Sequence, residues 1–120
     1  MKILVCEDDE AIQKIIQFKL KKDLGASVDS VSDGKKALEL LKNGHGYDLI
    51  ITDIHMPFHS GMEIIEHLRQ ELGDKTPVIV LSAEGLEDTL DDAFELGADE
   101  FITKPFSPPE LITRVKKVMR

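Results

Sequence analysis

Four polar residues, Asp8, Asp53, Ser82 and Lys104, stand where short apolar runs of the chain end. They supply two carboxylates, one hydroxyl and one ammonium group. Short apolar runs bounded by polar residues are typical of buried parallel strands, and parallel sheets place their active crevice outside the carboxyl ends of the strands. The sequence therefore predicts that these four groups meet at one edge of a sheet. There they could hold a divalent cation together with a phosphoryl group.

The acidic residues predict a cation site. Glu7, Asp8 and Asp53 are expected to converge, and carboxylates at close range repel one another unless a cation lies among them. A site of hard oxygen donors that keeps several waters suits Mg²⁺. Asp9 and Glu10 have a simpler interpretation, because acidic residues at a helix start interact favourably with its positive end.

Lys104 and Ser82 suit a phosphoryl group. A lysine at the mouth of an acidic crevice can neutralise a carboxylate or a phosphate, although it could also be an extended surface lysine. A hydroxyl at a strand end could bond a phosphoryl oxygen or only the local backbone. Together with a metal, these groups fit phosphoryl transfer to a carboxylate. Asp53 is the expected nucleophile, because its strand is apolar enough to be central and metal ligands flank it.

A regular alternation of strands and helices positions these residues. Strands are predicted over residues 2–6, 27–31, 48–52, 77–81 and 99–103. Helices are predicted over residues 9–22, 34–43, 60–72 and 86–96, with a last helix after Ser107. Capping boxes are expected from Ser60 with Glu63 and from Ser107 with Glu110. The first helix is expected to bury one apolar face, made of Ile12, Ile15, Ile16 and Leu20.

Five successive strand–helix units predict an α/β fold, a three-layer doubly wound sandwich around a five-stranded parallel sheet. If the strand order is the flavodoxin-like 2-1-3-4-5, known from flavodoxin and CheY, then strands 1, 3, 4 and 5 are consecutive. The four polar groups would then lie at adjacent strand ends. Strand 2 would be an edge strand that carries none of them.

Composition disfavours several classes of function. The chain has 120 residues, the size of one domain, and a net charge of −8 from 23 acidic and 15 basic residues. Because this charge is negative, direct binding of nucleic acid by the chain is not expected, and the lack of Trp argues against base stacking. Cys6, the single cysteine, is interpreted as a small buried hydrophobe. The sequence suggests neither a membrane span nor a signal peptide, and a cytoplasmic protein is expected.

Several ordered motifs carry a family resemblance. They are ILVCEDD, DLIITDIHMPFHSGMEII, PVIVLSA and GADEFITKPF. Over its whole length, residues 1–120, the chain resembles a single receiver domain of a two-component response regulator, with the CheY-like fold. The resemblance implies that Asp53 accepts a phosphoryl group from a histidine kinase. It also implies that Mg²⁺ is held by Asp8, by Asp53, by the backbone carbonyl of His55 and, through water, by Glu7.

The resemblance assigns roles to the remaining motif residues. Lys104 would bridge Asp53 and then the phosphate, in front of a cis Lys104–Pro105 bond, and Ser82 would close over the phosphoryl oxygens. Phe101 matches an aromatic switch position that swings inward as the hydroxyl moves. His55 and Glu84 occupy variable positions that tune loss of the phosphate.

Three classes of function compete on these residues. A phosphorylation-activated signalling switch fits best. A flavodoxin-like cofactor binder would need a glycine- or hydroxyl-rich phosphate loop after the first strand, where this chain has acidic residues. A turnover enzyme is not expected, because position 55 is a histidine and no substrate cap is inserted. The alternative to the switch is a phosphate-independent interaction module with the same fold.

The expected partners are a sensor histidine kinase or phosphotransfer protein and a downstream effector domain or protein. The resemblance places kinase contacts on the first helix and on the loop after strand 5. It places the output on helix 4, strand 5 and helix 5. The segment TKPFSPPELITRV resembles receivers of the OmpR/PhoB type, yet helix 4 is acidic where those receivers carry a basic residue, and Leu90, Asp91 and Asp92 supply none. We therefore expect a monomer that forms any dimer only on phosphorylation. The scattered His45, His59 and His67 are interpreted as surface residues.

Overall fold

The computed structural model describes residues 1–42, 44–83 and 87–120 of the chain. Five strands run over Lys2–Cys6 (β1), Ser27–Val31 (β2), Leu49–Asp53 (β3), Val78–Ser82 (β4) and Glu100–Thr103 (β5). Five helices run over Glu10–Leu24 (α1), Gly34–Leu40 (α2), Gly61–Glu66 (α3), Glu87–Leu96 (α4) and Pro108–Val118 (α5). A π-helical turn, His67–Glu71, continues α3.

The strands form one parallel sheet in the order β2-β1-β3-β4-β5. This confirms the predicted α/β architecture and strand order. The β3 strand is buried along its whole length, as expected for a central strand with covered faces. No helix among the described residues is long and apolar enough to cross a membrane.

The two faces of the sheet form separate hydrophobic cores. On β1, Ile3 and Val5 pack with α1 and α5, whereas Leu4 and Cys6 pack on the opposite face with α2, α3 and α4. This alternation follows from the two-residue period of a strand. Cys6 is fully buried as predicted, and burial raises the pKa of its thiol to about 12.

The prediction for one residue of α1 was wrong. Ile16 and Leu20 are fully buried and Ile12 is partly buried, but Ile15 is 50% exposed. The buried residues follow a spacing of four, which keeps them nearly in line along the helix. A residue one position before Ile16 is rotated by about 100° from it and lies outside this line.

Helix starts agree with most of the predicted capping. Asp9 caps α1, and Ser60 forms a complete capping box with Glu63. At α5, Ser107 accepts a hydrogen bond from the backbone N–H of Glu110, so this half of the predicted box is formed. The Glu110 carboxylate lies 3.9 Å from Arg114 in the next turn.

The interpretation of His45 as a surface residue was wrong. Its side chain is 5% exposed and its Nε2 lies 2.6 Å from the Asp74 carboxylate. Its Nδ1 accepts a hydrogen bond from the backbone N–H of Tyr47 at 2.9 Å. The ring therefore ties the segment before β3 to the segment before β4, at the sheet edge opposite to the carboxyl ends of the strands. His59 and His67 pair with Glu63 and Glu71 on the more exposed surface of α3 and its π-helical turn.

Gly61 allows α3 to start against the end of β3. Its N–H donates to the carbonyl of Ile54 at 2.8 Å, and a Cβ at this position would lie 2.2 Å from the carbonyl oxygen of Asp53. That distance is far shorter than any tolerated contact. Only glycine therefore lets the helix begin this close to Asp53.

We expect Gly61→Ala to lower the free energy of unfolding by about 1–3 kcal/mol, because α3 or the end of β3 must shift to admit the methyl group. Urea denaturation measures this change. Glu10→Ala is the matched control, since it stands at the same first position of α1 and is exposed. Equal stability of the Gly61 variant and the control would contradict the packing constraint.

Candidate functional site

The carboxyl ends of β1, β3, β4 and β5 meet at one edge of the sheet. Beyond β3, the N–H of Ile54 donates to the carbonyl of Leu81 at 3.1 Å. Beyond β5, the N–H of Lys104 donates to the carbonyl of Ser82 at 2.7 Å, which continues the strand pairing past Thr103. These bonds fix the backbone of Asp53, Ser82 and Lys104 relative to one another. The predicted meeting of these strand ends is present.

Lys104 reaches back into the crevice and contacts two carboxylates. Its Nζ lies 2.8 Å from Oδ2 of Asp53 and also forms an ion pair with Glu7. Asp53 is 6% exposed and Glu7 is fully buried, so water screens these charges little. The contact with Glu7 was not foreseen, because the family resemblance linked the lysine to Asp53 and to a phosphate.

Burial and the ion pairs shift the pKa values of Glu7 and Lys104. Burial raises the pKa of Glu7 to about 7, although the Lys104 ammonium and the backbone N–H of Asp9 act in the opposite direction. Burial alone would lower the pKa of Lys104, but its contacts with Asp53 and Glu7 outweigh this and raise that pKa. Lys104 is therefore held in its charged form between the two carboxylates.

Glu7, Asp8 and Asp53 form a cluster of carboxylates. Each offers an oxygen, and these oxygens lie within 4.8 Å of one another. Glu7 and Asp53 are buried and Asp8 is exposed, so the cluster opens to solvent on the Asp8 side. Hard oxygen donors with an open side fit a small divalent cation that keeps some of its waters. The donor set is therefore compatible with the predicted Mg²⁺.

The two predicted switch residues, Ser82 and Phe101, are both buried. Ser82 is the last residue of β4, and Phe101 lies one strand further along the sheet on β5. The Phe101 ring packs in the core between the sheet and the helices α2, α3 and α4. The Phe101 side chain is therefore in the inward position in this structure.

The structure describes one of the two residues that were predicted to tune loss of the phosphate. His55 is exposed and stands two residues beyond Asp53, so its position is compatible with the predicted role. Its backbone carbonyl as a metal ligand stays a prediction. Glu84 lies outside the described residues. The Lys104–Pro105 peptide bond is cis, as the resemblance implied.

Sequence reasoning missed Gln13. Its side-chain amide donates to the backbone carbonyls of Glu7 at 3.0 Å and Val31 at 3.1 Å. The only signal in the sequence is a polar residue next to the buried face of α1. Such a residue could equally well be solvated, and only the positions of the strand ends reveal its partners.

Comparison with known proteins gives a consistent family assignment. The sequence model of the family described as the response regulator receiver domain matches residues 3–116. The chain is 40% identical over 116 residues to the transcriptional regulatory protein DltR of Streptococcus agalactiae, covering 97% of this chain and 50% of that protein. It is 40% identical over 120 residues to the phosphate regulon transcriptional regulatory protein PhoB of Escherichia coli, covering 99% and 52%. The chain thus spans about half the length of these relatives.

Solved structures show the same similarity. The receiver domain of the Francisella response regulator 1452 superimposes with a TM-score of 0.90 at 37% identity, covering 98% of this chain and 95% of that chain. The BeF3-activated receiver domain of DrrB superimposes with a TM-score of 0.86 at 30% identity, covering 98% and 96%.

The contact between Lys104 and Asp53 is measurable as a coupling energy. We expect a double-mutant cycle of Lys104→Met and Asp53→Asn to give about 1–3 kcal/mol, because each single change leaves a partner charge in a poorly solvated crevice. Urea denaturation in a chelating buffer measures the four variants. The matched cycle of Glu10→Gln and Lys14→Met removes an exposed pair 3.8 Å apart and should show almost no coupling. Equal coupling in the two cycles would contradict the buried ion pair.

Proposed function

Because the chain belongs to the family of response regulator receiver domains, the signalling switches of two-component systems, we propose that Asp53 accepts a phosphoryl group from a phosphohistidine of a sensor histidine kinase or phosphotransfer protein. The observation that carries this proposal is the buried Asp53 carboxylate, held by Lys104 beside two further carboxylates. Such a switch catalyses its own phosphorylation and dephosphorylation and is no classical enzyme.

The proposed reaction is a transfer between two side chains. A carboxylate oxygen of Asp53 attacks phosphorus, the P–N bond to the donor histidine breaks, and the bonding electron pair leaves with the imidazole. The product is an acyl phosphate on Asp53. Lys104, already 2.8 Å from this carboxylate, can follow the negative charge onto the phosphoryl oxygens. Hydrolysis by water releases inorganic phosphate and restores the carboxylate.

Asp8, Asp53 and the backbone carbonyl of His55 would hold Mg²⁺, and Glu7 would act through water. The ion would supply positive charge to neutralise the phosphoryl oxygens. The buried Glu7 is already fixed, since its Oε2 accepts the N–H of Asp9 at 3.1 Å and it also pairs with Lys104. These contacts support an indirect role for Glu7, through water, while Asp8 and Asp53 would bind the ion directly.

The proposed switch is a shift in population between two arrangements of the loops. The phosphoryl group adds negative charge that Ser82 and Lys104 satisfy together in one arrangement only. The hydroxyl of Ser82 moves toward the phosphoryl oxygens in that arrangement, and this favours the inward position that the Phe101 ring already occupies. We propose that His55 and Glu84 set how fast the phosphate is lost.

The first helix is the proposed contact for the phosphohistidine donor. It begins beside the acidic cluster and exposes Ile15 and Phe18, the latter by 64%. Together with Pro108, these side chains line a groove of about 410 Å³ whose rim carries Lys14 and Lys19. An apolar groove with a basic rim suits a helical partner.

The proposed output surface consists of α4, β5 and α5. The described exposed acidic residues of α4 are Asp88, Asp91, Asp92 and Glu95. Across β5 and α5, Glu100 pairs with Arg114 and Lys117, both at 3.2 Å. Because the relatives are transcriptional regulators about twice as long, we propose an effector domain or protein as the downstream partner, acting in the cytoplasm.

Intact-mass spectrometry after incubation with acetyl phosphate tests the acceptor. We expect a gain of one phosphoryl group in the presence of Mg²⁺, a loss of most of this gain in EDTA, and no gain in Asp53→Asn. The carboxylate is the only nucleophile removed in that variant, so it is the matched control. Equal labelling of Asp53→Asn would refute the assignment. No labelling by acetyl phosphate or by phosphohistidine donors would favour the phosphate-independent interaction module.

Light scattering with size-exclusion chromatography tests the oligomeric state. We expect a monomer in the absence of a phosphoryl mimic, and any dimer only after addition of beryllofluoride and Mg²⁺. The reason is that α4 has Leu90 among acidic residues and offers no basic partner for the acidic residues of a second copy. Asp53→Asn should stay monomeric under both conditions. A tight dimer without beryllofluoride would overturn the expectation.

A further inference from the structure

Asp8 differs from the other two carboxylates of the cluster because it is exposed. Glu7 and Asp53 are held by burial and by Lys104, whereas the direction of the Asp8 side chain depends on the backbone that carries it. The Glu7–Asp8 peptide group joins the end of β1 to the start of α1. Whatever fixes this peptide group also places the Asp8 carboxylate.

Gln13 fixes that peptide group from one side. Its Nε2 has two hydrogens and donates to two carbonyl oxygens, that of Glu7 at 3.0 Å and that of Val31 at 3.1 Å. The carbonyl of Val31 also accepts the N–H of Glu7 at 3.0 Å. One side chain of α1 thus joins the ends of β1 and β2 and orients the peptide group before Asp8.

Asp9 fixes the chain from the other side. Its N–H donates to Oε2 of Glu7 at 3.1 Å, and its own carboxylate accepts the N–H groups of Ala11 at 2.9 Å and Ile12 at 3.2 Å. The N–H of Gln13 donates to the carbonyl of Asp9 at 2.9 Å. Asp8 is therefore the exposed residue between two anchored neighbours, and Gln13 takes part in both anchors.

We infer that Gln13 is a positioning residue of the cation site, which holds the Glu7–Asp8 peptide group so that Asp8 faces the same ion as Asp53. This inference rests on the proposed function, because it concerns the affinity for the proposed Mg²⁺. Groups that orient a metal ligand commonly change metal affinity by about 10–100-fold when they are removed. Gln13 acts on the ligand through the backbone, so the lower end of this range is expected.

The test compares Gln13→Met with the wild-type chain in a titration with MgCl₂, followed by the NMR shifts of the backbone amides. Methionine has the length of glutamine but cannot donate, so only the two hydrogen bonds are lost. We expect the Kd for Mg²⁺ to rise by about tenfold. Gln17→Met is the matched control, since Gln17 lies one turn along α1 and bonds Ser30 instead of the β1 end, and its Kd should equal that of the wild type.

A second measurement separates positioning from loss of fold stability. Thermal unfolding without Mg²⁺ reports stability, and the rate of acetyl phosphate labelling against Mg²⁺ concentration reports the site. A positioning role shifts the half-saturating Mg²⁺ concentration by the same factor as the Kd, while the rate at saturating Mg²⁺ stays near that of the wild type. If Gln13→Met does not fold, Gln13→Ala, with Gln17→Ala as control, serves in its place.

Three results would overturn the inference. A Kd of Gln13→Met equal to that of the wild type would leave Gln13 as a structural residue only, and the proposed function would stand. A lower labelling rate at saturating Mg²⁺ with an unchanged Kd would place Gln13 in a different step. No binding of Mg²⁺ by the wild-type chain would remove the cation site itself, together with that part of the proposed function.

Discussion

Repulsion among carboxylates is the constraint on which the carboxyl-end edge of the sheet depends. The strand order brings Glu7, Asp8 and Asp53 together despite their mutual repulsion, because the parallel pairing of β1 and β3 fixes where these strands end. The fold offsets this cost with Lys104, which crosses from the end of β5 to contact two of the three carboxylates. One ammonium group cannot balance three carboxylates. The remaining negative charge is compatible with the binding of a cation at this cluster.

The sheet holds these charges close because both of its faces are covered. Apolar residues alternate between two cores, so each strand is rigid from both sides up to the residue at which it becomes polar. Gly61 then brings α3 against the carbonyl of Asp53, and Asp9 begins α1 directly after the acidic pair. The starts of α1 and α3 thus lie directly against the ends of β1 and β3, and this leaves little freedom for the Asp53 carboxylate.

Much of this arrangement could be predicted from the sequence, for a physical reason. Buried parallel strands are short continuous apolar runs. The sequence alone therefore locates the strands β1, β3 and β4 and the polar residues that follow them. The strand order came by analogy, because periodicity says nothing about which strands are neighbours. The predictions for Ile15 and His45 were wrong. The exposure of Ile15 depends on its angle around the axis of α1, and the burial of His45 depends on its contact with Asp74. The contacts of Gln13 with Glu7 and Val31 join distant segments, and no local pattern encodes them.

The separation of the two cores has an evolutionary consequence. Ile15 and Phe18 lie on α1, which covers one face of the sheet, whereas Phe101 packs into the core on the other face. The strands between them are buried and tolerate little change, while the exposed residues of α1 contribute nothing to the core around Phe101. If α1 contacts the donor as proposed, substitutions on its exposed face would alter donor recognition and leave the core around Phe101 unchanged. A duplicated copy of such a domain could acquire a new donor while it keeps its old output.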